Sequence, residues 1–263
     1  MKKFFKSSYL VLIILFLYAP ILVTAVYSFN SAKSRGVWEG FTFDWYKELL
    51  ERDDIIEALS VTIVCALIAA LVATIIGSMA AYGIGSKQKK GNSFILSLAY
   101  IPMLNADIVT GISLLLLFTI AGLELSFMTM VLSHITFCIP YVILSVLPKV
   151  RQLDWSLYDA ARDLGCTPTR SFWKVIFPEL LPGILTGFLL ALTMSLDDFI
   201  ISNFTTGSGA NNLSTLIYTA KMGLKPEFRA LSTVIFGIIF IILIIVNVVA
   251  LKKQKNNKRG NEI

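Results

Sequence analysis

Residues 159–165, Asp-Ala-Ala-Arg-Asp-Leu-Gly, decide how the chain must fold, because they form a short polar stretch in a strongly apolar chain. They lie between two apolar windows, 125–147 and 180–203, in the longest connection that joins two such windows. The small alanine side chains permit the close approach of another surface, and the glycine permits a sharp turn. The fold therefore has to present a compact polar element between two long apolar segments.

The rest of the chain has the composition of a membrane protein. Apolar residues make up 56% of the 263 residues and charged residues 15%, and the mean hydropathy is +0.75. A spanning helix needs about 20 mainly apolar residues, and six windows meet that length. We therefore predict an all-α polytopic membrane protein with six transmembrane helices, forming a single transmembrane domain over residues 1–263. The windows are about 8–29, 56–85, 93–121, 125–147, 180–203 and 229–251.

The lysine and arginine residues predict the orientation of these helices. If the N-terminus is cytoplasmic, 16 of the 23 lysines and arginines fall on the cytoplasmic side, as the positive-inside rule requires. Both termini are then cytoplasmic, and the net charge of +6 reflects topology rather than a nucleic-acid partner. We expect the first window to be a retained anchor, since its apolar run exceeds the ~7–15 residues of a signal-peptide core.

The connection over residues 153–178 has the pattern of a helix, a turn and a second helix. Asp154 is placed to cap the first helix, Gly165 to end it, and Thr167-Pro168 to start the second. Pro178 is expected to mark a turn into the fifth window. The alternative is an amphipathic connector that lies on the bilayer. One face of the first helix carries Leu153, Leu157, Ala160, Ala161 and Leu164.

This pattern resembles the cytoplasmic loop of ABC importer permeases, whose form is E-A-A-x-x-x-G followed by an apolar residue and Leu-Pro. Here Asp159 replaces the glutamate, and Phe177-Pro178 replaces the Leu-Pro pair. The resemblance implies that residues 153–178 are a cytoplasmic helix-turn-helix through which a separate ATPase moves the transport pathway. The residues that the resemblance assigns to ATPase coupling are Asp159, Ala160, Ala161, Asp163, Gly165 and Pro178.

The same resemblance implies a location and a set of partners. It places the chain in a bacterial inner membrane, in contact with lipid, beside a homologous second permease subunit, a dimer of ABC ATPases and a periplasmic substrate-binding protein. The sequence has no Gly-x-x-x-x-Gly-Lys-[Ser/Thr] phosphate loop. We therefore expect a transport subunit that is not itself an enzyme, with no catalytic residue, no cofactor and no metal.

Several further stretches resemble this family. Residues 41–46 and 77–82 are similar to segments of the wider family, and the stretches 107–114, 133–138 and 195–198 resemble its spermidine/putrescine permeases. The resemblance implies that the substrate is a polyamine. A permease for another small solute stays open as the alternative. A secondary transporter is less favoured, because it would not need the cytoplasmic loop and because no convincing internal repeat is present.

Three acids lie well inside the predicted spans, and no lysine or arginine does: Asp107, Asp197 and Asp198. Unpaired carboxylates are costly in a membrane, and they pair well with the ammonium groups of a polyamine. We predict that these acids bind substrate. Because adjacent helical residues point about 100° apart, one of Asp197 and Asp198 is expected to bind while the other braces a helix. Pro102 and Asn105 before Asp107 predict a broken helix there.

Other polar and aromatic residues have two interpretations each. His134 either makes an interhelical hydrogen bond or lines a pathway. The three cysteines, Cys65, Cys138 and Cys166, are expected to be reduced, and their spacing fits no metal motif. An outer aromatic group is either an interfacial belt or a substrate contact, and it comprises Trp38, Phe41, Phe43, Trp45 and Tyr46.

The predicted orientation is checked by labelling single cysteines on a background without Cys65, Cys138 and Cys166. We expect cysteines at positions 88 and 156 to react only with reagent on the cytoplasmic side, and cysteines at positions 40 and 209 only with reagent outside. Labelling of positions 88 and 209 from the same side would contradict the six-span topology.

Overall fold

The computed structural model describes residues 2–32, 37–86, 92–207, 212–219, 226–237 and 240–241. These residues are mainly helical, and the only β-structure among them is an isolated bridge between Asn30 and Phe41. Two compact units divide the chain, one formed by residues 1–56 with 219–263 and the other by residues 57–218. The predicted all-α class is confirmed for the described residues.

The described helices follow one another along the chain with short connections. They are α1 Lys2–Tyr27, α2 Asp44–Glu51, α3 Asp53–Gly85, α4 Asn92–Leu104, α5 Asp107–Ile120, α6 Phe127–Arg151, α7 Trp155–Asp163, α8 Pro168–Ser171, α9 Phe177–Asp197, α10 Ile200–Thr205 and α11 Leu213–Thr219. A π-helical turn, Phe172–Ile176, joins α8 to α9. Residues 226–237 are also helical.

Four helices in the described part of the chain are long and apolar enough to cross a membrane: Tyr9–Tyr27, Asp53–Gly85, Phe127–Arg151 and Pro168–Asp197. They match the first, second, fourth and fifth predicted windows. The third window is divided between α4 and α5, and most of the sixth, 229–251, lies outside the described residues. Six spans and cytoplasmic termini therefore stay predictions.

The first unit contains an aromatic group that links the end of α1 to α2. The Trp45 indole N–H donates to the Asn30 carbonyl at 2.8 Å, and Trp45 is only 8% exposed. The Phe29 ring stacks on Phe41 and on Tyr46, with ring centroids 5.2 Å apart in each pair. Trp45 is thus a buried packing residue, while Phe41 keeps an exposed face.

In the second unit, α6 is the central helix, and small residues let its neighbours approach it closely. A Cβ atom added at Gly77 of α3 would lie 2.7 Å from the Val142 Cβ, and one at Gly187 of α9 would lie 3.2 Å from the Val142 Cγ1. Small residues at such contacts are typical of helix packing in membranes. Val142 is fully buried as a result.

Two of the predicted spans are interrupted. As predicted from Pro102 and Asn105, the third span breaks between α4, which ends at Leu104, and α5, which begins at Asp107. The fifth span breaks after Asp197, where Asp198 has an extended backbone with φ −67° and ψ 127°. We call residues 105–107 and 197–199 the paired breaks.

The prediction that Pro178 marks a turn into the fifth window is wrong. α8, the π-helical turn and α9 form one continuous helix from Pro168 to Asp197. Pro178 lies in the first turn of α9, directly after the π-helical turn. The Phe177 N–H donates to the Phe172 carbonyl, whereas in an α-helix it would donate to the Trp173 carbonyl. Inside a helix a proline lacks one N–H donor, and here the helix continues through Pro178 with the π-helical turn directly before it.

The packing account predicts opposite effects for two glycines of α3. Gly77→Ala should lower stability by about 1–3 kcal/mol, because its Cβ collides with Val142 and overpacking of this kind has that effect. Gly83→Ala is the matched control, since nothing lies within 4 Å of its added Cβ. It should be neutral or stabilising by about 0.5–1 kcal/mol. Melting temperatures of the detergent-solubilised protein measure both effects, and equal shifts would contradict the account.

Candidate functional site

The break between α9 and α10 is organised by the carboxylate of Asp198. It accepts hydrogen bonds from the Ile201 N–H at 3.2 Å and the Ser202 N–H at 2.7 Å. The Ser202 hydroxyl donates to the same carboxylate at 2.8 Å. Because the first N–H groups of a helix lack partners within it, Asp198 supplies the acceptors that the start of α10 needs.

His134 on α6 contacts both sides of this break. Its Nδ1 lies 2.6 Å from the Ser195 Oγ on α9, and its Nε2 lies 2.8 Å from the Ser202 Oγ on α10. The Nε2 also lies 3.4 Å from the Asp198 carboxylate. His134 is 1% exposed, so the interhelical hydrogen bond predicted as one of its two interpretations is what the structure contains.

Asp197 and Asp107 have different surroundings from Asp198. Asp197 is the last residue of α9 and Asp107 the first of α5, and both are exposed. The Asp198 side chain, by contrast, is only 7% exposed. Among the described residues, no hydrogen bond or ion pair involves the carboxylate of Asp107 or Asp197. The two adjacent acids thus lie in different environments. Asp197 ends α9 and Asp198 lies in the extended backbone of the break, so the difference comes from the break and not from the helical spacing assumed from the sequence.

The paired breaks lie close together because α5 packs against α10. A Cβ added at Gly111 of α5 would lie 2.9 Å from the Phe204 ring and 3.5 Å from the Ile201 Cα. Gly111 is one helical turn beyond Asp107, or about 6 Å along the axis. The Ile201 N–H donates a hydrogen bond to the Asp198 carboxylate. The structure therefore brings the three sequence-predicted acids into one region of the second unit.

The structure contains the helix-turn-helix that the sequence predicts within residues 153–178. Asp154 caps α7 by accepting from the Ser156 N–H at 3.0 Å, and hydrogen bonds from the Ser156 side chain and backbone hold the pKa of Asp154 below its usual value. Gly165 has φ +84°. The Gly165 N–H donates to the Arg162 carbonyl and the Cys166 N–H to the Ala161 carbonyl, which is the bonding of a Schellman motif. Thr167 then caps α8.

The predicted coupling residues lie on an outward-facing surface. α7 has no buried residue, and Leu164 is 87% exposed. Asp159, Ala160, Asp163, Gly165 and Pro178 are exposed, and Ala161 is half-buried.

Sequence reasoning missed the aromatic residues that pack α7 against Tyr82 and Phe172, elsewhere in the second unit. The Tyr82 ring contacts Phe172 at 5.2 Å and Trp155 at 6.2 Å between centroids, and Trp155 packs on Tyr158. Trp155 and Tyr158 are three residues apart, so helical spacing could have identified this second face. Ser195 and Ser202 were also missed as partners of His134, because nothing in their local sequence indicates a histidine from another helix.

No group of three or more His, Cys, Asp or Glu side chains within the described ranges is placed to hold a metal ion. The groups at the paired breaks are carboxylates, serine hydroxyls, the His134 imidazole and backbone ends. Such groups bind a cation by charge and hydrogen bonding.

Comparison with known proteins finds the same family along most of the chain. The model of the family described as "Binding-protein-dependent transport system inner membrane component" matches residues 73–254. The spermidine/putrescine transport system permease protein PotC of Escherichia coli K12 is 34% identical over 256 residues, which are 97% of each chain. The putrescine transport system permease protein PotI of the same strain is 37% identical, over 86% of this chain and 84% of that one. PotC of Haemophilus influenzae is 34% identical, over 98% of this chain and 100% of that one.

Solved structures share the fold at lower sequence identity. A bacterial ABC transporter that imports the acidic polysaccharide alginate contains a chain that superposes with a TM-score of 0.73 at 16% identity, covering 94% of both chains. The same kind of alginate transporter has been solved with its oligosaccharide-bound periplasmic protein, and a chain of it superposes with a TM-score of 0.67. These structures establish the fold of this chain.

Proposed function

This chain belongs to the family of binding-protein-dependent transport system inner membrane components, and we propose that it is the permease subunit of an ABC importer that moves polyamines such as spermidine or putrescine. The named relatives support the substrate class. The observation on this chain that carries the proposal is the pair of exposed, unpaired carboxylates, Asp107 and Asp197, at the paired breaks.

The chemistry of a polyamine fits this arrangement. A polyamine carries several ammonium groups joined by apolar chain, and each ammonium pairs strongly with a carboxylate in a charge-assisted hydrogen bond. The carbonyl ends of α4 and α9 at the breaks add partial negative charge. The positive end of α5 carries Asp107 in its first turn, and Asp198 bonds the start of α10. The helix ends therefore do not repel a cation in transit.

The cytoplasmic helix-turn-helix supplies the connection to an ATPase in this proposal. The continuous helix Pro168–Asp197 has 30 residues, so it is about 45 Å long. It begins at the turn after Gly165 and ends at Asp197. A displacement of the turn by an ATPase is thus carried along one rigid element to a substrate-facing acid.

The transport cycle assigns each partner one task. A periplasmic binding protein delivers the polyamine, a homologous second permease completes the pathway, and a dimer of ABC ATPases hydrolyses ATP. ATP binding draws the ATPases together, moves the helix-turn-helix segments and turns the pathway outward, and hydrolysis resets it. In this division of labour the chain itself is not an enzyme.

A permease for another small solute is the second candidate. The alginate transporters share the fold, so the fold does not select the substrate. Uptake into vesicles that contain the full complex decides between the two candidates. We expect ATP-dependent uptake of spermidine or putrescine and none of neutral amino acids or sugars. Uptake of a neutral solute without polyamine uptake would reject the proposed substrate class.

The coupling role predicts that a valine at Gly165 uncouples transport from ATP hydrolysis. Nothing lies within 4 Å of an added Cβ at Gly165, but its φ is +84°, and holding a non-glycine residue there costs of order 1–3 kcal/mol. Gly122→Val is the matched control, because Gly122 has φ +69° and equally open surroundings but lies after α5, outside the cytoplasmic loop.

We expect Gly165→Val to abolish substrate-stimulated ATP hydrolysis or the association of the ATPase, while the permease still inserts. Gly122→Val should retain both activities. Equal transport by the two variants would rule out the docking role of the turn.

The acids are tested by replacing each with asparagine, which keeps size and removes charge. Asp107→Asn and Asp197→Asn should raise the KM for polyamine roughly tenfold or more, because a hydrogen bond to a charged group contributes about 1.5–3 kcal/mol. Asp198→Asn should instead lower the amount of assembled complex, since Asp198 braces α10. Glu124→Gln, an exposed acid outside the breaks, is the control.

Uptake kinetics and the yield of purified complex separate the two outcomes. If the variants at Asp107, Asp197 and Asp198 all take up polyamine like the parent, the acids are structural and the substrate proposal fails.

A further inference from the structure

We infer that His134 is a positioning residue for the acid that faces the substrate. Together with Ser195 and Ser202 it forms a hydrogen-bonded clasp across the break between α9 and α10, and this clasp fixes the direction of Asp197. The inference rests on the proposed function, because it assigns His134 a task within the same substrate site.

The hydrogen bonds of the clasp form one connected network. The Ser202 hydroxyl uses its single proton to donate to Asp198. Its oxygen must therefore accept from His134 Nε2, which lies 2.8 Å away. The His134 Nδ1 and the Ser195 Oγ lie 2.6 Å apart and share a further hydrogen bond. These hydrogen bonds join Ser195, His134, Ser202 and the Asp198 carboxylate into one network.

The clasp stabilises the break because α10 is too short to be a stable helix by itself. Ile200–Thr205 is six residues long, and isolated helices of that length are unstable. α6 holds both of its ends. His134 contacts its start, and the Thr129 hydroxyl donates to the Thr205 carbonyl at 2.7 Å. α6 thus stabilises the short helix α10 from one side. Through Ser195, α9 is hydrogen-bonded to α6 as well.

The clasp determines which acid is left to face the pathway. Asp198 is held inward by Ser202 and the start of α10, and Asp197 precedes it directly in the chain. With Asp198 fixed, the last turn of α9 cannot rotate, and the Asp197 carboxylate keeps its exposed orientation. Without the clasp, Asp197 would sample several directions and bind an ammonium group less well, since binding is strongest when the site is preorganised.

Substitutions in the clasp separate positioning from general stability. His134→Phe keeps an aromatic ring but removes both ring nitrogens, and Ser195→Ala removes the partner on α9. Thr136→Val is the matched control on α6, because Thr136 is exposed and its hydroxyl bonds only the Leu132 carbonyl of its own helix.

The first measurement needs no substrate. A cysteine replaces Asp197 in the full complex on a background in which Cys166 is serine, and its rate of modification by a methanethiosulfonate reagent is followed. We expect one rate with His134 and a several-fold changed or multiphasic rate with His134→Phe, while Thr136→Val leaves the rate unchanged. An unchanged single rate with His134→Phe would overturn the clasp.

The second measurement is polyamine uptake by complexes that retain Asp197. His134→Phe should raise KM about tenfold, the size of effect typical of losing a buried hydrogen bond next to a charge, with maximal ATP hydrolysis retained. Ser195→Ala should raise KM in the parent but add nothing in the His134→Phe background, because both act through one network. Lower yield with unchanged KM would show a purely structural role and overturn the inference. If the parent complex takes up no polyamine, the proposed function fails, and the modification rate at position 197 still decides the clasp.

Discussion

A helix that breaks inside an apolar unit leaves backbone N–H and carbonyl groups without partners, and this constraint shapes the whole candidate site. Asp198 satisfies the start of α10 after one break, and His134, Ser195 and Ser202 hold that acid in place. Once Asp198 is committed to the backbone, Asp197 is left exposed. The arrangement of polar groups in the site thus follows from the need to satisfy the backbone N–H groups at the start of α10.

The breaks also supply groups that a regular helix does not offer to a transported cation. An unbroken third or fifth span would present only side chains, whereas a break adds carbonyl ends that attract a cation. The close packing of Gly111 against Phe204 and Ile201 brings together α5 and α10, the helices that follow the two breaks. The continuous helix from Pro168 to Asp197 connects one break to the cytoplasmic turn. One continuous helix therefore joins the parts that we propose bind the ATPase and the substrate.

Local sequence predicted the features that depend on near neighbours. The cap at Asp154, the left-handed Gly165 and the break before Asp107 all follow from residue types at fixed offsets, and the structure has each of them. Features that depend on contacts between distant segments were not predictable. The partners of His134 come from residues 61 and 68 positions away, and the path of the helix through Pro178 depends on a π-helical turn that no proline rule indicates.

The most direct test of the account is an experimental structure of the full complex with spermidine bound. We predict an ammonium nitrogen at about 2.7–2.9 Å from the carboxylate of Asp197 or Asp107, the distance of a charge-assisted hydrogen bond, with Asp198 still bonded to Ser202. Polyamine bound away from the paired breaks, or an Asp198 carboxylate that leaves Ser202 to bind the substrate, would contradict the account.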